Sequence, residues 1–179
     1  MVRSTFTTVL AAAFAALALM SSVSQAAPAP VPPNGQTAAV ISNKEYCIFL
    51  PREYGGNIAE SEDDAVAFCN VAIATAPEAR TLPQGFIKTV HFVKNTSKNY
   101  VQVTGRFDRS KYGLSSSDEG GQYDIKAPNG SKCAGYPYYV QITEPDDQIY
   151  CMRCCKNNSD CPRNRSTEGC RDVIGGDYS

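Results

Sequence analysis

Tryptophan is absent from the 179 residues and histidine occurs once, as His91. A single histidine excludes two-histidine ribonuclease chemistry and histidine-rich metal centres, and any Ser-His-Asp or Cys-His site would have to use His91. The Gly-x-Ser-x-Gly elbow that presents a hydrolase serine is missing as well. Without tryptophan, the aromatic lining expected of a sugar-cleaving cleft is thin. An excess of one charge is also lacking, since 17 Lys and Arg face 18 Asp and Glu for a net charge of −1. Phosphate binding needs a basic surface, so nucleic acid is not an expected partner. Beyond the N-terminal segment no apolar run approaches the ~20 residues that span a bilayer. No repeat is visible, and no motif calls for a cofactor.

What is present begins with an export signal. Arg3 supplies the basic n-region, Val9 to Met20 an apolar h-region, and Ser24 and Ala26 the small residues before cleavage. Residues 1–26 are therefore expected to be a signal peptide, and the product to be secreted and extracellular. Residues 27–39 begin Ala-Pro-Ala-Pro-Val-Pro-Pro and are read as an extended leader. Residues 40–179 are expected to form one domain with a cystine-rich tail at 151–170.

All eight cysteines, Cys47, Cys69, Cys133, Cys151, Cys154, Cys155, Cys161 and Cys170, follow the predicted cleavage point. An even count in an exported chain reads as a disulfide framework, with about 105 possible pairings. Zinc would want C-x2-C pairs at a set spacing, and the adjacent Cys154 and Cys155 do not fit that pattern, so no metal is expected. Four Asn-x-Ser sequons, at Asn95, Asn129, Asn157 and Asn164, fall in turn-like stretches suited to glycosylation.

The fold class predicted is α+β: one helix packed on an antiparallel sheet, with a disulfide-rich C-terminal lobe. Tyr46–Pro51 reads as a first strand. The helix is placed over Glu62–Thr75, with Ser61 as cap, Glu62 to Asp64 on its positive end, and Ala65, Phe68, Cys69, Ala72 and Ile73 as its buried stripe. Cys69 is expected to staple that helix to a strand or to the tail. Alternation over 86–94 and 100–107 predicts a hairpin turning at 95–98. Further strands are expected at 122–126, 138–143 and 148–153. Past Cys155 only Val173 and Ile174 are aliphatic, so mild reduction is expected to release the tail before the sheet.

Candidate chemistry is sparse. His91, in an alternating strand, reads as a half-exposed structural residue. Carboxylates cluster at Glu60–Asp64, at Asp118-Glu119 and at Glu144–Asp147, where capping and turns account for them. Tyr136, Tyr138 and Tyr139 are the candidate ligand surface, since tyrosine offers an apolar ring with a polar tip. The segment Val101-Gln102-Val103-Thr104-Gly105 loosely resembles the Gln-x-Val-x-Gly loop of cystatins. The signal peptide, the prolyl leader, and the runs Cys-Ala-Gly-Tyr (133–136), Glu-Pro-Asp-Asp (144–147) and Tyr-Cys-Met-Arg-Cys-Cys (150–155) together resemble the small secreted cysteine-rich proteins of filamentous fungi. That resemblance implies an extracellular, effector-like protein, host-facing or wall-associated. The expected partner is an extracellular protein or glycan, bound by a monomer without catalysis. A small extracellular hydrolase or a protease inhibitor of cystatin-like layout is the alternative.

Overall fold

A computed structural model describes Met1 and residues 36–179. The signal-peptide segment and the leader up to residue 35 lie outside the described residues. Among the described residues, eleven strands in three sheets carry the fold. In chain order they are β1 (Thr37–Ala38), β2 (Val40–Ser42), β3 (Glu45–Leu50), β4 (Val66–Cys69), β5 (Arg80–Thr81), β6 (His91–Asn95), β7 (Tyr100–Arg106), β8 (Gly121–Asp124), β9 (Lys132–Cys133), β10 (Tyr138–Glu144) and β11 (Ile149–Cys155). The only α-helix among the described residues is α1 (Cys170–Val173), a single turn.

The α+β expectation is therefore overturned, and the fold is almost wholly β. After a 3-10 turn at Ala59–Ser61, the predicted helix at 62–75 is instead a turn at 62–64, β4, and a bend and turn beyond it. Ser61 does close a local turn, its carbonyl accepting from the Ala65 amide at 2.9 Å. The chain then extends, because β4 zips against β3 from Leu50–Val66 to Cys47–Cys69. Val66, Ala67, Phe68 and Cys69 are all buried. A short run buried on both faces has no strand periodicity, and its apolar residues fit a helical stripe equally well. Cys69 is stapled to a strand, but by a cross-strand disulfide to Cys47 rather than from a helix.

Five strands in the order β6-β7-β11-β10-β8 form an antiparallel sheet. The strands anticipated at 138–143 and 148–153 are its hairpin β10–β11. Both faces are covered. Val101, Val103, Tyr139, Tyr150, Met152 and Cys154 point to the front, against the sheet β2-β3-β4-β5. Val140, Ile142, Ile149, Cys151 and Cys155 point to the back, where Cys161, Cys170, Val173, Ile174 and Tyr178 of the tail pack on them. The tail is thus a layer of the same structure and not a lobe beside it.

Three side-chain amides complete the edges of short strands. Gln141 is fully buried and grips Phe49 at both ends, accepting its N–H and donating to its carbonyl at 2.7 Å each. Gln36 does the same to Ala67 N–H and Ala65 carbonyl, and Asn70 to Tyr46 N–H and Lys44 carbonyl. Gln36 to Ala39, assigned to the leader by sequence, are thereby built into the fold, and β1 runs parallel to β9.

Candidate functional site

The cysteines all pair, as Cys47–Cys69, Cys133–Cys154, Cys151–Cys170 and Cys155–Cys161. Adjacent Cys154 and Cys155 serve different partners because neighbouring side chains on a strand point to opposite faces. Cys154 reaches forward to Cys133 and Cys155 backward to Cys161. The Cys133–Cys154 bond matters most here, since it clamps the root of the loop joining β9 to β10.

That loop is a tight turn in which the Tyr136 amide donates to the Cys133 carbonyl at 3.0 Å. Gly135 supplies the left-handed residue, with φ of 77°. The half-buried Tyr136 at its end lines two clefts at once. The larger, about 780 Å³, runs between the 75–78 loop and residues 131–137. The smaller, about 330 Å³, continues toward β2 and β6 past Ile41 and Lys94. Thr75, Ala134, Gly135 and Tyr136 are common to both. Lys156 locks the ridge, its Nζ donating to the Gly135 carbonyl at 2.6 Å and lying 5.1 Å from the Tyr136 ring centre.

The three candidate tyrosines are not one surface. Tyr139 is fully buried, its ring 5.2 Å from Phe49 and its hydroxyl 2.6 Å from that of Ser131. Burial pushes that hydroxyl's pKa up. Tyr138, one step along β10, faces the back with the Arg163 guanidinium 5.5 Å from its ring. Tyr136 alone borders a cleft.

The remaining candidates are scattered and structural. His91 lies on β6 with Nδ1 3.5 Å from the Asp177 carboxylate and Nε2 3.4 Å from the Ser179 carbonyl. Glu144 accepts the Cys170 amide of α1 at 2.8 Å, and burial raises its carboxyl above the ordinary glutamate range. Asp118 is buried, holding the Ile58 and Gly120 amides. The Pro145 and Asp146 carbonyls accept from Arg109. The Val101–Gly105 segment forms the interior of β7, paired on both sides, so the cystatin-like loop and layout do not hold. Among the described residues no cluster of His, Cys, Asp or Glu is set to hold a metal. The sequon asparagines Asn129, Asn157 and Asn164 are exposed, while Asn95 accepts from Ser97 and Lys98 within its turn.

Two proteins of Mycosarcoma maydis align with this chain. Appressorium protein ROW1 is 35% identical over 102 residues, which are 57% of this chain and 22% of that protein. Appressorium protein ROW2 is 27% identical, over 75% of this chain and 51% of that protein. The chain is similar to appressorium proteins. It spans about a fifth of the first relative's length and about half of the second's. No family model matches it, and no solved structure does. The fungal resemblance drawn from the cysteine-rich runs accords with these relatives, as do the four disulfides.

Sequence reasoning missed the rest of the cleft. Thr37 lay in the assigned leader, Thr75 at the end of a supposed helix, and Lys156 in the tail. The signal available was Cys133-Ala-Gly-Tyr136, a cysteine-rooted glycine turn ending in an aromatic.

Proposed function

We propose that this chain is a secreted, non-catalytic, disulfide-stabilised binding protein of effector-like type. It works in the extracellular setting of the appressorium, facing a host or held at the cell wall. Residues 1–26 direct export, residues 27–35 form a leader, and the sequon asparagines carry N-glycans. The observation that carries the reading is the Tyr136 ridge: an aromatic presented between two open clefts, on a turn clamped by the Cys133–Cys154 disulfide and by Lys156. Clamping before contact lowers the ordering cost of binding. The appressorium-protein relatives and four disulfides support the compartment.

The test has two stages. The full chain, expressed in a fungal host, is expected in the medium, shortened by its first 26 residues and shifted in mass by glycan. The secreted protein is then offered to isolated wall polysaccharides and to extracellular host proteins. Retention by one of these that is lost in Tyr136→Ala supports the reading. Retention inside the cell, or no retention by either class, overturns it.

A further inference from the structure

We infer that the Tyr136 cleft takes an anionic saccharide, a chain carrying uronate carboxylates; this rests on the binding-protein reading above and names its ligand class. The first ground is charge. Lys132 lines the larger cleft and Lys94 the smaller, and Lys156 lies against the Tyr136 ring they share. These ammonium groups come from β9, from β6 and from just past β11, so the tertiary fold gathers them. Against them the lining residues include one carboxylate, Glu78. All four belong to exposed residues; Lys156 keeps its charge at the ridge while its Nζ holds the Gly135 carbonyl, so Lys94 and Lys132 are the lysines offered to a ligand. On a chain whose net charge is −1, this positive rim is a local exception.

The second ground is shape and hydrogen bonding. A pyranose has a flat C–H face that stacks on an aromatic ring, and Tyr136 is the aromatic residue lining both clefts. Small residues around it, Thr37, Thr75, Ala134 and Gly135, leave an open trench rather than the deep side-chain pockets that select a peptide. An extended peptide would also need free main-chain groups along β9. The Lys132 and Ala134 amides already donate to the Gln36 and Ala38 carbonyls, and the Tyr136 amide to Cys133. Ligand recognition here falls to side chains: one ring and a set of ammonium groups, matched by alternating sugar faces and carboxylates.

The experiment is calorimetric titration of the full secreted chain with a galacturonic acid hexamer, its methyl ester, a neutral glucan hexamer and a poly-glutamate peptide of equal length. The acid hexamer is expected to bind and the other three to bind much more weakly. Raising ionic strength from low salt to about 0.3 M should weaken binding roughly tenfold, since exposed charges are screened. Lys94→Gln and Lys132→Gln should each lower affinity about threefold, the scale of an exposed ion pair. Tyr136→Ala should lower it by about tenfold while Tyr136→Phe retains it. Unchanged urea midpoints in the lysine variants and in Tyr136→Phe keep the comparison free of folding effects. Equal binding of acid and ester, or Tyr136-dependent binding of the neutral hexamer, overturns the anionic assignment and leaves the binding-protein reading standing. Poly-glutamate binding as tightly as the hexamer overturns the saccharide. Binding indifferent to Tyr136 and the lysines overturns the site, and absence of binding overturns the inference.

Discussion

Gln141 is the residue on which the two large sheets most directly depend. On that edge of β3, β2 pairs as far as Tyr46 and Ala39 accepts the Cys47 amide, which leaves Phe49 facing no strand. Gln141 fills the gap with one donor and one acceptor, and its Nε2 also lies 3.1 Å from the Thr143 hydroxyl. In Gln141→Leu the buried Phe49 N–H and carbonyl lose both partners, and the expected cost is about 2–4 kcal/mol. Urea unfolding followed by fluorescence should show a lower midpoint at unchanged slope. Asn70→Ala, whose amide bonds lie nearer solvent, should cost about 1 kcal/mol. Glu144 bears on pH in the opposite sense to a salt-bridged acid. Its carboxyl is raised by burial first, then by Asp147 and Asp146. As pH rises from the ordinary glutamate value toward the raised one, the unfolded chain releases this proton first, so stability falls across that window. Glu144→Gln keeps an acceptor for the Cys170 amide and removes the ionisation. The difference in urea midpoint between variant and parent should widen in the variant's favour as pH rises through that window, and then level off.

At the scale of elements, alternation along β10 and β11 explains how the cysteines are used. Cys151 and Cys155 look back and Cys154 forward, so one strand anchors the tail twice and the β9–β10 loop once. Replacing Cys133 and Cys154 together by serine should cost about 2–4 kcal/mol. It should also free the loop carrying Tyr136, read as faster amide exchange at Ala134–Tyr136 and weaker ligand retention. The same substitution at Cys47 and Cys69 should lower stability without that local release, because that pair lies in the β3–β4 ladder. These elements were unequally legible. The hairpin β6–β7 was legible from alternation over 86–94 and 100–107, though β6 itself begins only at His91, and β10 and β11 were legible as runs flanking the turn at Glu144–Asp147. β4 was not, because both its faces are buried and a four-residue apolar run has no period to read.

For the whole molecule the decisive fact is that the tail covers the back of the central sheet. Val173, Ile174 and Tyr178 are buried there, and the Tyr178 hydroxyl donates to the Ile174 carbonyl at 2.6 Å. Beyond α1, Gln102 and Thr104 of β7 hold the Gly175 and Asp177 carbonyls. Removing this layer would expose Val140, Ile142 and Ile149, so the tail and the sheet should fail together. Under graded reduction, trypsin cleavage at Lys156, Arg163 and Arg165 is expected to coincide with loss of the far-ultraviolet sheet signal. Cleavage at lower reductant, with the sheet intact, would restore the separate lobe that composition suggested. Two aliphatics beyond Cys155 looked too few to order that segment, but the apolar surface they cover belongs to β10 and β11.

By itself the sequence determined the disulfide-framed, β-rich character of the second half and, through its single histidine, excluded two-histidine chemistry. Both depend on residue identity and on period-two alternation, which are local. The pairing of cysteines, the strand hidden in a helical pattern, and the gathering of Lys94, Lys132 and Lys156 around Tyr136 belong to the tertiary structure alone. Each needs segments distant in the chain to meet. Which segments meet is decided by the burial of complementary faces and the closing of open strand edges by Gln36, Asn70 and Gln141, and neither leaves a pattern within any one stretch of sequence.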